Sequence, residues 1–192
     1  RAIAMPILLS GSCADWTDVF TTVLESADQA NETTTAAWLH LELGRQLLLT
    51  ERTLEAHPHF EQAHRLAQQT EDRMLLFRAT ERLAYTHIVS GQFDIARTLA
   101  TGAISLAPPG GVERALLFHT LGYLATQETE YATAIERYSV ALHLREAAGA
   151  TLSAAKTLRD IGVAYACLGD YERAKTAFDG ALCDFAHFGD QY

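Results

Sequence analysis

Residues 158–181 read LRDIGVAYACLGDYERAKTAFDGA. Apolar and small residues fall at Leu158, Ile161, Gly162 and Tyr165, and again beyond Gly169 at Tyr171, Ala174, Phe178 and Ala181. Spacings of three and four mark amphipathic helices, so this stretch predicts two helices parted at Gly169. The pattern occurs three more times upstream. Phe118, Leu121 and Gly122 precede Tyr131, Ala134, Tyr138 and Ala141. Leu83 and Ala84 precede Gly91, Phe93, Ala96, Ala100 and Ala103, while Leu43 and Gly44 precede Ala56, Phe60 and Ala63. The leading small residue recurs at Gly44, Ala84, Gly122 and Gly162, in steps of 40, 38 and 40. Ala56, Ala96, Ala134 and Ala174 keep those steps, as do Ala63, Ala103, Ala141 and Ala181. Three series in one register indicate a repeat rather than a generic alanine-rich bundle.

Each repeat reads as a pair of helices. Small residues at fixed places let two helix backbones approach, and the aromatic residues Phe60, Phe93, Tyr131, Tyr138, Tyr171 and Phe178 fill the space between hairpins. Gly91 and Gly169 stand where a first helix must stop. Pro108-Pro109-Gly110-Gly111 is expected to stop the second helix of the second repeat. Asp94, Thr151 and Asp170 stand at expected N-caps, and Thr33, Thr34 and Thr35 are expected to cap the first hairpin.

The spacing of Leu/Ile-Gly, Tyr, Ala, Phe and Ala resembles the tetratricopeptide repeat, over about residues 33–188. A period near 40 is similar to the long-helix variant of bacterial regulatory ATPases, transcription activators and kinesin light chains. The resemblance implies an all-α, right-handed superhelical solenoid of antiparallel hairpins with no sheet. Four repeats are expected at 33–71, 72–111, 112–150 and 151–188, after a partial repeat or capping helix in 1–32. The chain departs from the family at its first consensus position, which is His40, Thr80, Phe118 and Leu158, and keeps the consensus proline only as Pro108. Asn31 is the only asparagine, so no asparagine clamp on a peptide backbone is available in the groove.

Composition agrees with a helical protein. The 192 residues are 48% hydrophobic and 20% charged, with four prolines. Fifteen Lys and Arg against 24 Asp and Glu give a net charge of −9. That balance argues against direct nucleic-acid binding, which needs a basic face. Residues 1–44 hold six acids and one base, so basic surface elsewhere is still allowed. No apolar run approaches the ~20 residues of a membrane span. Three cysteines, Cys13, Cys167 and Cys183, are too few for a disulfide framework and suggest a reducing, cytoplasmic setting.

Residues 14–30, with Asp15, Trp16, Val19, Phe20, Val23, Leu24 and Ala27, read as one more amphipathic helix. Residues 1–12 read as the stub of its partner helix or, alternatively, as a secretory signal. A chain that starts at Arg1 and stops at Tyr192 without a polar capping helix suggests a fragment of a longer protein, or ends buried by self-association.

Catalytic and metal patterns are weak. His57, His59 and His64 form the densest histidine cluster, but 57 and 64 share a helix face and 59 does not. No His-Glu-x-x-His pattern or paired-carboxylate set completes a metal site. Cys167 and Cys183 are expected as a buried reduced pair in one hairpin. Asn31-Glu32-Thr33 is a formal glycosylation acceptor, read as a polar loop. Pro108-Pro109-Gly110-Gly111 lacks the Gly-Lys-Ser/Thr of a phosphate loop. No cofactor and no enzymatic activity are expected.

In the family that the repeat resembles, first helices line a concave groove at spacings of 3, 4 and 3. On this chain that stripe is Trp38, Leu41, Arg45 and Leu48, then Arg78, Glu81, Tyr85 and Ile88. It continues as Leu116, His119, Tyr123 and Thr126, then Lys156, Arg159, Val163 and Ala166. Four bases against Glu81 alone suggest a groove for a peptide with acidic side chains or a free carboxylate. The alternative is that these cations are solvated or paired with Glu42, Glu81 and Asp160. The reading is a protein-interaction scaffold, the sensor or scaffold segment of a larger regulatory protein. The alternatives are a small-molecule or signalling-peptide sensor that switches an attached transcription-regulator or ATPase domain, and a self-associating adaptor.

Overall fold

A computed structural model describes residues 19–24, 27, 32–108 and 110–189. The expectations for residues 1–12, for Asp15 and Trp16, and for Cys13, Asn31 and Pro109 lie outside the described residues. Among the described residues the regular structure is entirely helical. Beyond a helical piece at 19–24, eight helices follow: α1 (Thr33–Leu49), α2 (Thr53–Ala67), α3 (Arg73–Val89), α4 (Phe93–Ala103), α5 (Gly111–Gln127), α6 (Tyr131–Ala147), α7 (Thr151–Cys167) and α8 (Tyr171–Gly189). The chain divides into two compact units, residues 1–79 and 80–192.

In the first unit α1 and α2 form an antiparallel hairpin. Gly44 makes it close. A Cβ at this position would stand 2.7 Å from Cε1 of Phe60, whose ring is fully buried. Phe20 and Leu24 pack with Ala27, Ala36, Leu39 and Leu66, so the 19–24 piece lies against the hairpin as a preceding helix would.

In the second unit α5 pairs with α6, α7 with α8, and α6 with α7. The approach seen at Gly44 recurs. A Cβ on Gly122 would stand 2.6 Å from Cδ1 of Tyr138, and one on Gly162 would stand 2.7 Å from Cε1 of Phe178. At the same register Ala84 is matched by Ala100, and both are buried. Each first helix therefore carries glycine where its partner carries a ring, and alanine where its partner carries alanine. Burying a ring such as Phe60 or Tyr138 is worth roughly 1.5–3 kcal/mol, and the glycine makes room for it. Ala56, Ala96, Ala134 and Ala174, with the second alanine series, all face the interior.

The four hairpin turns are also in register. Glu51, Gly91, Thr129 and Gly169 each adopt positive φ, between 61° and 81°. In each turn the next residue's N–H returns to the helix: Arg52 to the Leu47 carbonyl, Gln92 to His87, Glu130 to Ala125 and Asp170 to Tyr165. This is the Schellman closure, which satisfies carbonyls that the helix end leaves open. Gly91 and Gly169 thus end first helices as expected, while Glu51 and Thr129 adopt the same conformation with a side chain.

Several local expectations need correction. Asp170 does cap α8, accepting from the Arg173 N–H at 3.2 Å. Asp94 and Thr151 instead lie inside their first turns, after Gln92 and Ala150, neither of which makes a side-chain cap bond. The cap of α3 is Asp72, whose Oδ1 accepts from the N–H groups of Met74 and Leu75 at 3.0 and 2.9 Å. At α1 the cap position is Glu32, and Thr35 donates its hydroxyl to that carboxylate at 2.9 Å. Helix α4 ends at Ala103, well before Pro108, so the proline–glycine run does not stop it. Cys167 and Cys183 lie on the two helices of one hairpin but are exposed, because both sit on outward faces: the equivalent residues Leu49, Val89 and Gln127, and Arg65, Ser105 and His143, are exposed as well.

Candidate peptide-binding surface

The first unit places three of the expected groove residues around one pocket. Trp38 and Leu41 on α1 meet Arg78 on α3, together with Thr34, Thr35, Asp72, Met74 and Leu75. The cavity is about 320 Å³. Its lining follows from helix geometry: positions 34, 38 and 41 share one face of α1, and 75 and 78 share one face of α3. Leu41 and Leu75 are buried and form an apolar floor, while Trp38 remains 44% exposed and forms a wall. Asp72 uses Oδ1 to cap α3. A cavity of this size holds one or two side chains, not a large cofactor.

Arg45 lies further along the same stripe. It is exposed, and its Nε donates to Glu42 Oε1 at 3.0 Å, with a second, shorter contact from Nη2 to the same oxygen. Leu48 is half-buried. His40 and His59 share a hydrogen bond between their Nδ1 atoms at 3.0 Å, so the histidines at this end are tied to neighbours. Burial pushes the imidazoles of His59 and His64 down from their usual value.

In the second unit the expected stripe divides. Glu81 does not face an open groove: it is fully buried, accepts the Thr120 hydroxyl, and lies 3.3 Å from Arg82 Nε. Ile88 is likewise buried, packed with Ala96 and Leu124. Thr120 of α5 meets Glu81, while Ala96 of α4 and Leu124 of α5 cover Ile88. Tyr85 and Tyr123, equivalent residues of successive repeats, stack with centroids 5.7 Å apart. Burial, followed by the nearby Tyr85 and Asp160, raises the Tyr123 phenol. Leu116 and Thr126 are half-buried, whereas Lys156, Arg159 and Val163 are exposed.

His119 reaches Asp160 at 2.9 Å, and Arg159 donates to Asp160 from Nε and Nη2 at 3.0 and 2.8 Å. Burial would raise the Asp160 carboxyl, but the bonds from His119 and Arg159 outweigh it and hold the carboxyl below its usual value. Two of the four expected cations, Arg45 and Arg159, are thus engaged by acids next to them, which the sequence left open.

Some buried polar contacts were not foreseen. Glu81–Thr120 and His119–Asp160 are the same pair of register positions in successive repeats, so polar rungs link adjacent first helices. Arg145 is buried at the register of Ala67 and Ala107. Its Nη1 donates to the Ser153 carbonyl at 2.9 Å and to the Thr157 hydroxyl, and burial lowers its pKa. The signal for it was a charged residue on an otherwise apolar register of Ala67, Ala107 and Phe185. No helix among the described residues is long and apolar enough to cross a membrane.

No protein-family model and no curated protein sequence matches the chain. Solved structures do. A kinesin light chain protein of Podosopora anserina, described by its nearly identical TPR-like repeats, matches with TM-score 0.68 at 14% identity, over 93% of this chain and 89% of that one. A MamA structure matches with TM-score 0.62 at 16% identity, over 96% of this chain and 100% of that one. MamA from Desulfovibrio magneticus RS-1 matches with TM-score 0.57 at 14% identity, over 92% and 98%. At such low identity the likeness concerns architecture, and it agrees with the repeat read from the residues: the chain has the all-α, helical-hairpin fold of TPR-like repeat proteins.

Proposed function

We propose that the chain is a protein-interaction scaffold that binds a peptide segment of a partner against its first helices. The pocket of Trp38, Leu41 and Leu75 is the anchoring point and takes one large apolar side chain. The observation that carries this reading is that pocket: residues expected on one stripe converge there, on preformed helices, around a half-exposed tryptophan. Tryptophan and arginine at a concave, partly apolar site are typical binding hot spots. Rigid helices lose little ordering entropy when the partner arrives. The guanidinium of Arg78 beside this pocket favours a segment that also carries an acidic side chain. A place as the sensor or scaffold segment of a larger regulatory protein is consistent with such a surface.

The test is selection of ligands from a random peptide library on the wild-type chain. Selected sequences should share a large apolar residue, and Trp38→Ala should weaken them at least ~10-fold. Affinities unaltered by Trp38→Ala and by Arg78→Glu would remove this surface from the account.

A further inference from the structure

We propose that Arg114, Phe118 and Arg137 form a second docking surface, separate from the groove, that receives an acidic segment of a protein partner. Arg114 lies one turn before Phe118 on α5, with its guanidinium carbon 5.7 Å from the ring centroid. Arg137 comes from α6 and lies 6.0 Å from the same centroid. A guanidinium laid over a ring is held by the ring's negative face, and its in-plane N–H donors stay directed outward. The half-buried Phe118 therefore pre-orients two sets of donors before any partner arrives.

The other feature of this pair is its charge. Arg45, Arg52, Arg82, Arg97, Arg159 and Arg173 each have an acidic partner. Among the described residues, neither Arg114 nor Arg137 has a carboxylate at ion-pair distance. In a chain of net charge −9, two such cations on one ring concentrate positive potential. A carboxylate brought to them relieves their mutual repulsion and accepts charge-assisted, bidentate hydrogen bonds.

Helix geometry separates this surface from the groove. At about 100° per residue, Arg114 and Phe118 are more than a quarter turn from the face of Leu116, His119 and Tyr123. Its narrowness selects the occupant. Glu113 and Glu136 adjoin the two arginines in sequence, so a nucleic-acid backbone or an anionic membrane, spread over both, meets negative charge. A short protein segment places one or two carboxylates on the guanidinium edges and its side-chain stems beside Phe118.

The experiment measures fluorescence anisotropy of a fluorescein-labelled hexaglutamate peptide titrated with the whole chain at low ionic strength. Arg114→Gln with Arg137→Gln should weaken binding at least ~10-fold. The control is Arg52→Gln with Arg173→Gln, which removes equal charge from arginines already paired and should stay within about twofold. Phe118→Leu keeps an apolar side chain in place and should weaken binding by roughly threefold, through lost orientation of the two guanidinium groups. Thermal melts by circular dichroism check that each variant is folded. Equal weakening by both arginine pairs would show general charge attraction and overturn the proposal, as would no measurable binding to the wild type. Tighter binding of a phosphoserine peptide or a single-stranded oligonucleotide of matched charge, lost with the same two arginines, would overturn the assignment to a carboxylate segment.

Discussion

Replacing Gly122 by alanine should destabilise this chain, although alanine is the better helix former. The new Cβ would stand 2.6 Å from Cδ1, 2.7 Å from Cε1 and 3.0 Å from Cγ of Tyr138. Carbon atoms pack at about 3.5–4.0 Å, so the ring must withdraw by roughly 0.9 Å. It has little room. Tyr138 is buried with Ala125, Ala134, Ile161 and Ala177, its ring lies 5.3 Å from that of His119, and its hydroxyl is 3.3 Å from Thr126 Oγ1. Burial pushes its phenol up to about 12. Overpacking costs about 1–3 kcal/mol, against about 1 kcal/mol gained in helix propensity, so the net loss is up to ~2 kcal/mol. Tyr138→Ala alone should cost about 3–5 kcal/mol. In the Tyr138→Ala background the obstacle is gone, and Gly122→Ala should stabilise by about 1 kcal/mol. The coupling between the two sites is then about 1–3 kcal/mol, read from urea denaturation of the four proteins with unchanged m-values. If Gly122→Ala changed stability equally in both backgrounds, the close approach would not be what holds the hairpin.

The second hairpin offers the converse: Ala100→Phe should destabilise by about 1–3 kcal/mol, and adding Ala84→Gly should recover part of that loss, measured as shifts in the denaturation midpoint. Thr129→Gly should stabilise by about 1 kcal/mol in the same assay, and Glu51→Gly by somewhat less, because each side chain is held at positive φ; a loss of stability would contradict the turn assignment. His59 and His64 have folded pKa values below the ordinary 6.5, so the unfolded chain takes up protons more readily. Their contribution is present above about pH 6.5 and lost as pH falls through the folded values, and His59→Gln with His64→Gln should flatten the pH dependence of the melting temperature there. Asp160 behaves in the acid range: its lowered pKa contributes stability above its unfolded value, lost as pH falls through the folded one, and Asp160→Asn should remove that step.

The hairpin repeat was legible because its requirement is local and periodic. A glycine at 44, 122 or 162 and a ring 16 residues later describe one contact, and the constant steps repeat it. That Trp38, Leu41 and Arg78 would lie near one another was legible because a helix fixes which positions share a face. Glu81 was misplaced on an open groove because its burial depends on how closely the next first helix crosses it, which a single helix period does not encode. Arg145 was missed for a related reason, since its partners Ser153 and Thr157 lie on the following helix. The pairing of Arg45 with Glu42 and of Arg159 with Asp160 needed side-chain rotamers as well as spacing. The exposed cysteines show the same limit from the other side: their helices were right, but burial was read from composition alone.

The chain contains two tryptophans, Trp16 and Trp38, so a Trp16→Phe variant leaves a single indole N–H resonance. Following that resonance by NMR while a library-selected peptide is added tests the binding surface directly. A saturable shift of the Trp38 indole, with a midpoint equal to the dissociation constant measured independently, is the expected result. An indole that stays in place while the peptide binds would show that the partner is held elsewhere.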